Sequence, residues 1–195
     1  MTAVPSIIAL AGLRGSGKSA VAGLLEEWLP VERIRFADPL KGMLRAIGLS
    51  DAEIEGDRKE SPCDLLVGCT PRRAMQTLGT EWGRNAIHPD LWTSLWQRRA
   101  RRALAANRIV VVEDCRFPNE EAVARSMGGV VWRVDRAGMT PDRHISEAGV
   151  YLIKPDLIIK NDGTLDDLKE RLGSIVFGPI EDLAGPMGRT MGIAA

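Results

Sequence analysis

The eight residues Gly12-Leu13-Arg14-Gly15-Ser16-Gly17-Lys18-Ser19 spell G-x-x-x-x-G-K-[ST] directly after the apolar run Ile7-Ile8-Ala9-Leu10. A strand, a glycine loop and a helix in that order restrict the chain to a few α/β architectures. Glycines at those spacings let backbone N–H groups curl around phosphate oxygens, and the following helix adds its N-terminal donors and dipole. Lys18 is placed to reach the β- and γ-phosphates of a nucleoside triphosphate and Ser19 to hold Mg²⁺, with Gly12, Arg14, Gly15, Ser16 and Gly17 completing the cradle. Val21, Leu24, Leu25 and Trp28 then recur at helical spacing until Pro30, so the motif sits in the context it requires.

At 195 residues and 45% hydrophobic composition, the chain can fill one sizeable core, which predicts a single domain over 1–195. Its 26 basic and 26 acidic residues cancel, so bulk attraction to nucleic acid or a membrane surface is not expected; anions would be held by placed arginines. No run approaches the ~18 consecutive apolar residues of a membrane helix, and the N-terminus lacks the basic-then-apolar layout of a signal peptide. The expected location is the cytoplasm. Cys63, Cys69 and Cys115 are odd in number and not at C-x-x-C spacing, and read as free thiols rather than a disulfide framework or a zinc site.

Strand-like apolar segments alternate with helix-like ones, as in a parallel sheet wrapped by helices in three α/β/α layers. About five strands are expected, over 6–11, 33–36, 108–112, 130–134 and 156–159, with the clearest helices over 19–29, 72–86, 91–106, 119–127 and 165–172. Ile109-Val110-Val111-Val112 is apolar throughout, as a parallel strand covered on both faces should be. Residues 49–70 are charged and punctuated by Gly and Pro with no sustained period, which predicts an excursion or mobile flap. The tail over 177–195 carries Pro179, Pro186 and several glycines; it is expected to run irregularly over the surface or to meet a second copy in a homodimer.

The third strand closes on Glu113-Asp114, apolar residues ending in acid as in a Walker B element, which supplies a candidate Mg²⁺ partner for Ser19. Strand alternation sends the two carboxylates to opposite sides. Asp114 is preferred because it leads into the polar cluster Arg116-Phe117-Pro118-Asn119-Glu120, with Glu113 as the alternative.

Further upstream, Thr70 suits an N-cap with Pro71 at the first helical position, and Ala74, Met75, Leu78 and Trp82 make an apolar face. Arg72, Gln76, Thr80 and Arg84 form a row of donors on the other face, suited to a phosphate plus the edge of a base or sugar. Gly79 and Gly83 each weaken such a helix by roughly 1 kcal/mol relative to alanine, which points to close approach by a ligand or another segment. Arg98, Arg99, Arg101 and Arg102 lie opposite Leu91, Trp92, Leu95 and Trp96 and read as a solvated face. Arg136 and Arg143 follow the fourth strand on a loop expected to form a lid over 135–150; with Lys18 and Asp114 they make the expected catalytic set. A phosphate acceptor is already anionic near neutral pH, so His144 is given a positioning role or a hydrogen bond to Glu147, and His88 a structural one.

The P-loop, Phe36-Ala37-Asp38-Pro39-Leu40-Lys41, Gln76-Thr77-Leu78-Gly79-Thr80-Glu81-Trp82-Gly83-Arg84, Asp114-Cys115-Arg116-Phe117-Pro118-Asn119-Glu120, His144-Ile145-Ser146-Glu147 and Asn161-Asp162-Gly163-Thr164 together resemble the bacteriophage deoxynucleoside monophosphate kinases over roughly residues 6–172. The blocks over 76–84 and 114–120 are considerably more specific than the P-loop. Met75 stands where the family usually has leucine, and Cys115 where valine is expected. The resemblance implies a nucleoside-monophosphate-kinase-like P-loop fold with a helical acceptor-binding region over about 37–107. It also implies transfer of the γ-phosphoryl of ATP to a deoxynucleoside 5′-monophosphate. On the same ground Asp38, Lys41, Arg72, Gln76, Glu81 and Arg84 would surround the acceptor, Arg116 would lie near its phosphate and Asn161 by the adenine of ATP. Glu81 and Trp82 are the candidates to crowd the sugar 2′ position. Two other readings share the P-loop: another small-molecule kinase, such as one acting on dephospho-coenzyme A, and an ATP-dependent switch or assembly factor in which nucleotide orders 49–70 for a partner.

Overall fold

β1 (Ile7–Ala11) is buried at all five positions and lies in the middle of a sheet ordered β2-β3-β1-β4-β5. β3 (Ile109–Val112) and β4 (Val130–Asp135) flank it, Ile8 facing Val111 on one side and Leu10 facing Trp132 on the other. β2 (Val31–Arg33) and β5 (Leu157–Lys160) close the edges, and all four pairings are parallel. The carboxyl ends of the middle strands therefore face one crevice where the strand order reverses, the place where ligands bind in open α/β sheets. The computed structural model describes residues 4–140 and 149–178.

Alternation along the strands gives the sheet two apolar faces. Ile7, Ala9, Val110, Val112 and Val131 pack under Trp96, Ala100 and Ala103 of α5 (Leu91–Ala105) and Ala124 of α6 (Pro118–Ser126). On the other face, Ile8, Leu10, Val111, Val134 and Ile159 pack under Val21 and Leu25 of α1 (Lys18–Trp28) and Leu168 and Leu172 of α7 (Leu165–Phe177). Each fully buried aliphatic side chain contributes roughly 1.5–3 kcal/mol against the entropy of ordering the chain. The result is the three-layer α/β/α arrangement expected of the sequence.

A smaller core lies beyond the edge of the sheet. Leu44 of α2 (Asp38–Ala46), Leu49 and Ile54 of α3 (Asp51–Ile54) pack with Leu66 and with Ala74 and Met75 of α4 (Pro71–Thr77). The stretch over 49–70, expected as an excursion or mobile flap, folds into α3 and two short 3₁₀ turns, Asp57–Glu60 and Asp64–Leu66. Its few apolar residues are too sparse to show a period but sufficient to anchor it, Ile54 being fully buried.

Three further boundaries differ from expectation. β2 ends at Arg33 instead of spanning 33–36, because the N–H groups of Phe36 and Ala37 turn away to the Asp114 carboxylate, at 3.0 Å each. The helix expected over 72–86 is α-helical only to Thr77 and continues as a π-helix over Leu78–Ile87. There the Gly79 carbonyl accepts from Trp92 Nε1 at 2.7 Å, and a Cβ on Gly83 would sit 2.4 Å from the Trp92 ring. Gly83 therefore answers to another segment, the packed Trp92, while Gly79, whose added carbon would lie 3.3 Å from Leu40, lines the cavity described below. Finally, α7 runs through Phe177, well past the expected end at 172. The remainder of the expected tail, 179–195, and the lid residues Arg143, His144 and Glu147 lie outside the described residues.

Substituting Gly83→Ala should lower stability by about 1–3 kcal/mol through overpacking against Trp92. Gly23→Ala, in α1 with nothing within 4 Å of the added carbon, should raise it by about 0.5–1 kcal/mol. Urea-unfolding midpoints of the two variants check the opposite signs.

Candidate active site

The loop after β1 is shaped by its glycines. Gly12, Gly15 and Gly17 have φ of +139°, +80° and +105°, all in the region that favours glycine. A Cβ on Gly12 would lie 2.4 Å from the Val134 carbonyl oxygen, and one on Gly17 2.1 Å from Asn161 Nδ2. Lys18 is buried and its Nζ donates to the Gly12 and Leu13 carbonyl oxygens, both at 2.7 Å, so the ammonium is held inside the loop. Gly17 gives α1 no side-chain cap and its first turn has no acidic residue, which leaves the helix's N-terminal donors to an external anion. Ser16 Oγ is buried among the described residues without a hydrogen-bond partner and lies beside Gly12.

Asn161 supports the P-loop from below. Its amide, buried at the end of β5, donates to the Ser16 carbonyl oxygen at 2.8 Å. This contact braces the loop backbone next to the phosphate cradle.

A cavity of about 230 Å³ opens beside the P-loop, and all four donors of the row, Arg72, Gln76, Thr80 and Arg84, lie on its wall. Lys41 and Arg116 join them, while Phe36, Leu40, Met75 and Phe117 supply apolar surface. Cationic donors together with aromatic and aliphatic groups on one cavity wall suit a molecule with an anionic end and a planar apolar body. Arg14, read from the sequence as a ligand of the triphosphate, lines this cavity too.

Three expected acceptor residues are not on this wall. Asp38 accepts from the Arg35 amide and Nε at 3.0 and 2.8 Å and pairs with Arg99 at 3.1 Å, so its carboxylate belongs to a surface ion network. Burial opposes its ionisation, but the Arg35 amide and guanidinium outweigh that and hold the carboxyl below its ordinary value. Arg99 is accordingly paired rather than merely solvated. Glu81 and Trp82 are exposed, Trp82 with its ring 6.1 Å from that of Trp92. Each residue of a π-helix turns through a smaller angle than in an α-helix, which carries 81 and 82 round to the outer side.

Glu113 and Asp114 diverge as alternation requires. Both Glu113 oxygens accept from Arg33 Nη2 at 2.7 Å, which occupies the alternative Walker B carboxylate in an ion pair. Asp114 faces the cavity and binds the amides of Phe36 and Ala37, and burial raises its pKa against those hydrogen bonds. Both its oxygens thus already tie β3 to the segment after β2.

Sequence reasoning missed how Arg84 is held. Its guanidinium donates to Glu120 Oε1 and, at 3.2 Å, to Asn119 Oδ1, and lies 4.0 Å over the Phe117 ring. Glu120 Oε2 in turn accepts from the amides of Arg116 and Phe117 at 2.7 and 3.1 Å. Burial pushes the Glu120 carboxyl up to about 7 in spite of Arg84, with the nearby Asp114 charge adding to the rise. Asn119 and Glu120 stood in the quoted block, but nothing local marked them as partners of a residue 36 positions away.

A second cavity, of about 320 Å³, is bounded by Gly12, Leu13 and Ser16 of the P-loop with Arg136, Met139 and Tyr151. Arg136 lines this cavity beside the P-loop. His88 Nδ1 accepts from the Asp90 amide at 3.0 Å, a structural role. The three cysteines are free, and burial raises the Cys115 thiol well above its ordinary value. Among the described residues no helix is long and apolar enough to cross a membrane.

The sequence profile of the deoxynucleotide monophosphate kinases matches residues 67–172, more than half of the chain and the segment that carries the donor row, Asp114 and Asn161. The chain belongs to this family. It is 33% identical over 184 residues to a protein of Acanthamoeba polyphaga mimivirus assigned that activity, covering 87% of this chain and 95% of the viral protein. It is 29% identical to the deoxynucleotide monophosphate kinase of Escherichia phage RB69, over 78% of this chain and 62% of that enzyme. Among solved structures it is similar to a dephospho-CoA kinase from Campylobacter jejuni, at 16% identity and a TM-score of 0.46, covering 92% of this chain and 98% of the other.

In this family member, the raised Glu120 pKa has a consequence for folding. A carboxyl with a folded value of about 7 against 4.5 for the unfolded chain contributes stability that is present below 4.5 and lost as pH rises through 7. Wild-type protein should therefore lose on the order of 2–3 kcal/mol more than Glu120→Gln between pH 4.5 and 7.5. Denaturant titrations at both pH values measure the difference.

Proposed function

We propose that the chain transfers the γ-phosphoryl group of ATP to a deoxynucleoside 5′-monophosphate, giving ADP and the deoxynucleoside diphosphate. The observation that carries this reading is the cavity beside the P-loop, walled by Arg72, Gln76, Thr80, Arg84 and Arg116 and backed by apolar side chains. It offers a second anion site next to the one that the P-loop forms, and family membership supports reading both as nucleotide sites. In this assignment the P-loop and Lys18 hold the donor phosphates. Lys41, Arg72, Arg84 and Arg116 hold the acceptor phosphate, while the base lies against Phe36, Leu40 and Met75.

The acceptor phosphate oxygen attacks the γ-phosphorus as the bond to the β,γ-bridging oxygen breaks, and the electron pair leaves with ADP. The acceptor is an anion, so no side chain has to remove a proton. The protein's part is placement and charge: Lys18 neutralises the leaving oxygens, and the donor row fixes the acceptor in line. Arg136 and Arg143 are assigned to the closing lid.

Mg²⁺ in such sites is held by one or two protein oxygens together with substrate phosphates. Ser19, exposed on the first turn of α1, and Asp114, facing the cavity, are hard-oxygen donors that suit it. When bound, the ion supplies charge neutralisation on the phosphate oxygens. We propose a cytoplasmic location for the protein.

Incubation with ATP, Mg²⁺ and a panel of deoxy- and ribonucleoside monophosphates, with ADP as the readout, tests the assignment. Strong stimulation by at least one deoxynucleotide is expected. ATP binding without stimulation by any acceptor would leave a switch or a different acceptor. Lys18→Ala should lower kcat by about 10²-fold or more with the unfolding midpoint retained, since one preorganised charge commonly accounts for that much.

A further inference from the structure

One oxygen of one carboxylate joins the two halves of the site. Glu60, on the 3₁₀ turn Asp57–Glu60, accepts at Oε1 from Arg14 Nη1 at 3.1 Å and at the same Oε1 from Arg72 Nε. Arg14 belongs to the P-loop and Arg72 to the donor row of α4, and both line the cavity beside the P-loop. Two guanidinium groups from different elements therefore converge on a single anionic oxygen at the seam between donor and acceptor sites. Guanidinium forks of this kind match the oxygens of phosphate as well as those of carboxylate.

From this convergence we propose that Arg14 and Arg72 form a shared phosphate subsite, and that Glu60 fills it with its own carboxylate when no acceptor nucleotide is bound. The inference rests on the kinase reading above. A phosphate dianion carries more charge and more acceptor oxygens than a carboxylate, so it displaces Glu60 on arrival. Glu60 and Arg14 are both more than half exposed, at 52% and 55% of the side chain, so the displaced carboxylate passes into water at little cost. Glu60 is then a competitor that keeps the two arginines together, and it sits on the segment between the two cores, within reach of both sites.

The variant Glu60→Gln keeps the size and the hydrogen-bonding oxygen but removes the charge that competes with phosphate. Two exposed ion pairs of ordinary strength correspond to about a two- to tenfold effect. The dissociation constant of the preferred deoxynucleoside monophosphate, measured by calorimetry without ATP, should fall by that factor. The KM for the acceptor should fall with it, and the KM for ATP should stay unchanged. Adding Arg72→Gln to Glu60→Gln should abolish the gain. Acceptor binding that is unchanged or weaker in Glu60→Gln overturns the proposal, as does an equal shift in the KM for ATP. Failure of the wild-type protein to bind any nucleoside monophosphate would instead overturn the kinase reading, and the two failures are told apart by the wild-type titration alone.

Discussion

Burial of β1 between two parallel neighbours decides where everything else in the molecule can go. With β3 on one side and β4 on the other, its carboxyl end delivers the P-loop into the crevice between them. The strands on both sides then deliver their own ends to the same edge: Asp114 from β3, Arg136 just after β4, Asn161 from β5. Two of these ends are tied by side chains instead of sheet hydrogen bonds. Asp114 holds the amides of Phe36 and Ala37, and Asn161 holds the carbonyl of Ser16. Each is a polar group near the core whose partner fixes a loop that the sheet itself does not reach.

Placement of charge follows from that frame. The cationic groups of the first cavity come from separate elements, Arg14 from the P-loop, Lys41 from α2, Arg72 from α4 and Arg116 from the segment after β3. Their mutual repulsion is relieved by carboxylates set behind or between them. Glu55 takes Lys41 at 2.9 Å and Arg35 at 2.9 Å, Glu60 takes Arg14 and Arg72, and Glu120 takes Arg84. The cavity proposed for the acceptor phosphate thus stays stable without it, because the arginines have carboxylate partners.

Much of this was legible in the sequence because it is local. Phosphate-loop glycines, the Thr70 cap, the four apolar strands β1, β3, β4 and β5 and the row Arg72, Gln76, Thr80, Arg84 all depend on spacing along a few turns, and the structure keeps them. What escaped was set by partners far away in the chain. Gly83 is explained by Trp92, the early end of β2 by Asp114, and the fixed orientation of Arg84 by Glu120. Asn161 illustrates the same limit: its place at a strand end was expected, but only the close approach to Gly17 reveals that it supports the P-loop. The anchored stretch over 49–70 escaped for a different reason, since short 3₁₀ turns leave no period for a pattern to reveal.

The central claim is that two nucleotide sites meet at one edge of the sheet, close enough for direct phosphoryl transfer. An adenosine and a deoxynucleoside joined 5′ to 5′ through a polyphosphate bridge would occupy both at once, and tethering makes the second contact intramolecular. Its dissociation constant and its inhibition pattern against each substrate are the decisive measurement. The account predicts binding far tighter than that of either nucleotide alone, with competition against both ATP and the monophosphate. Binding no tighter than that of ATP, with competition against ATP only, would contradict it.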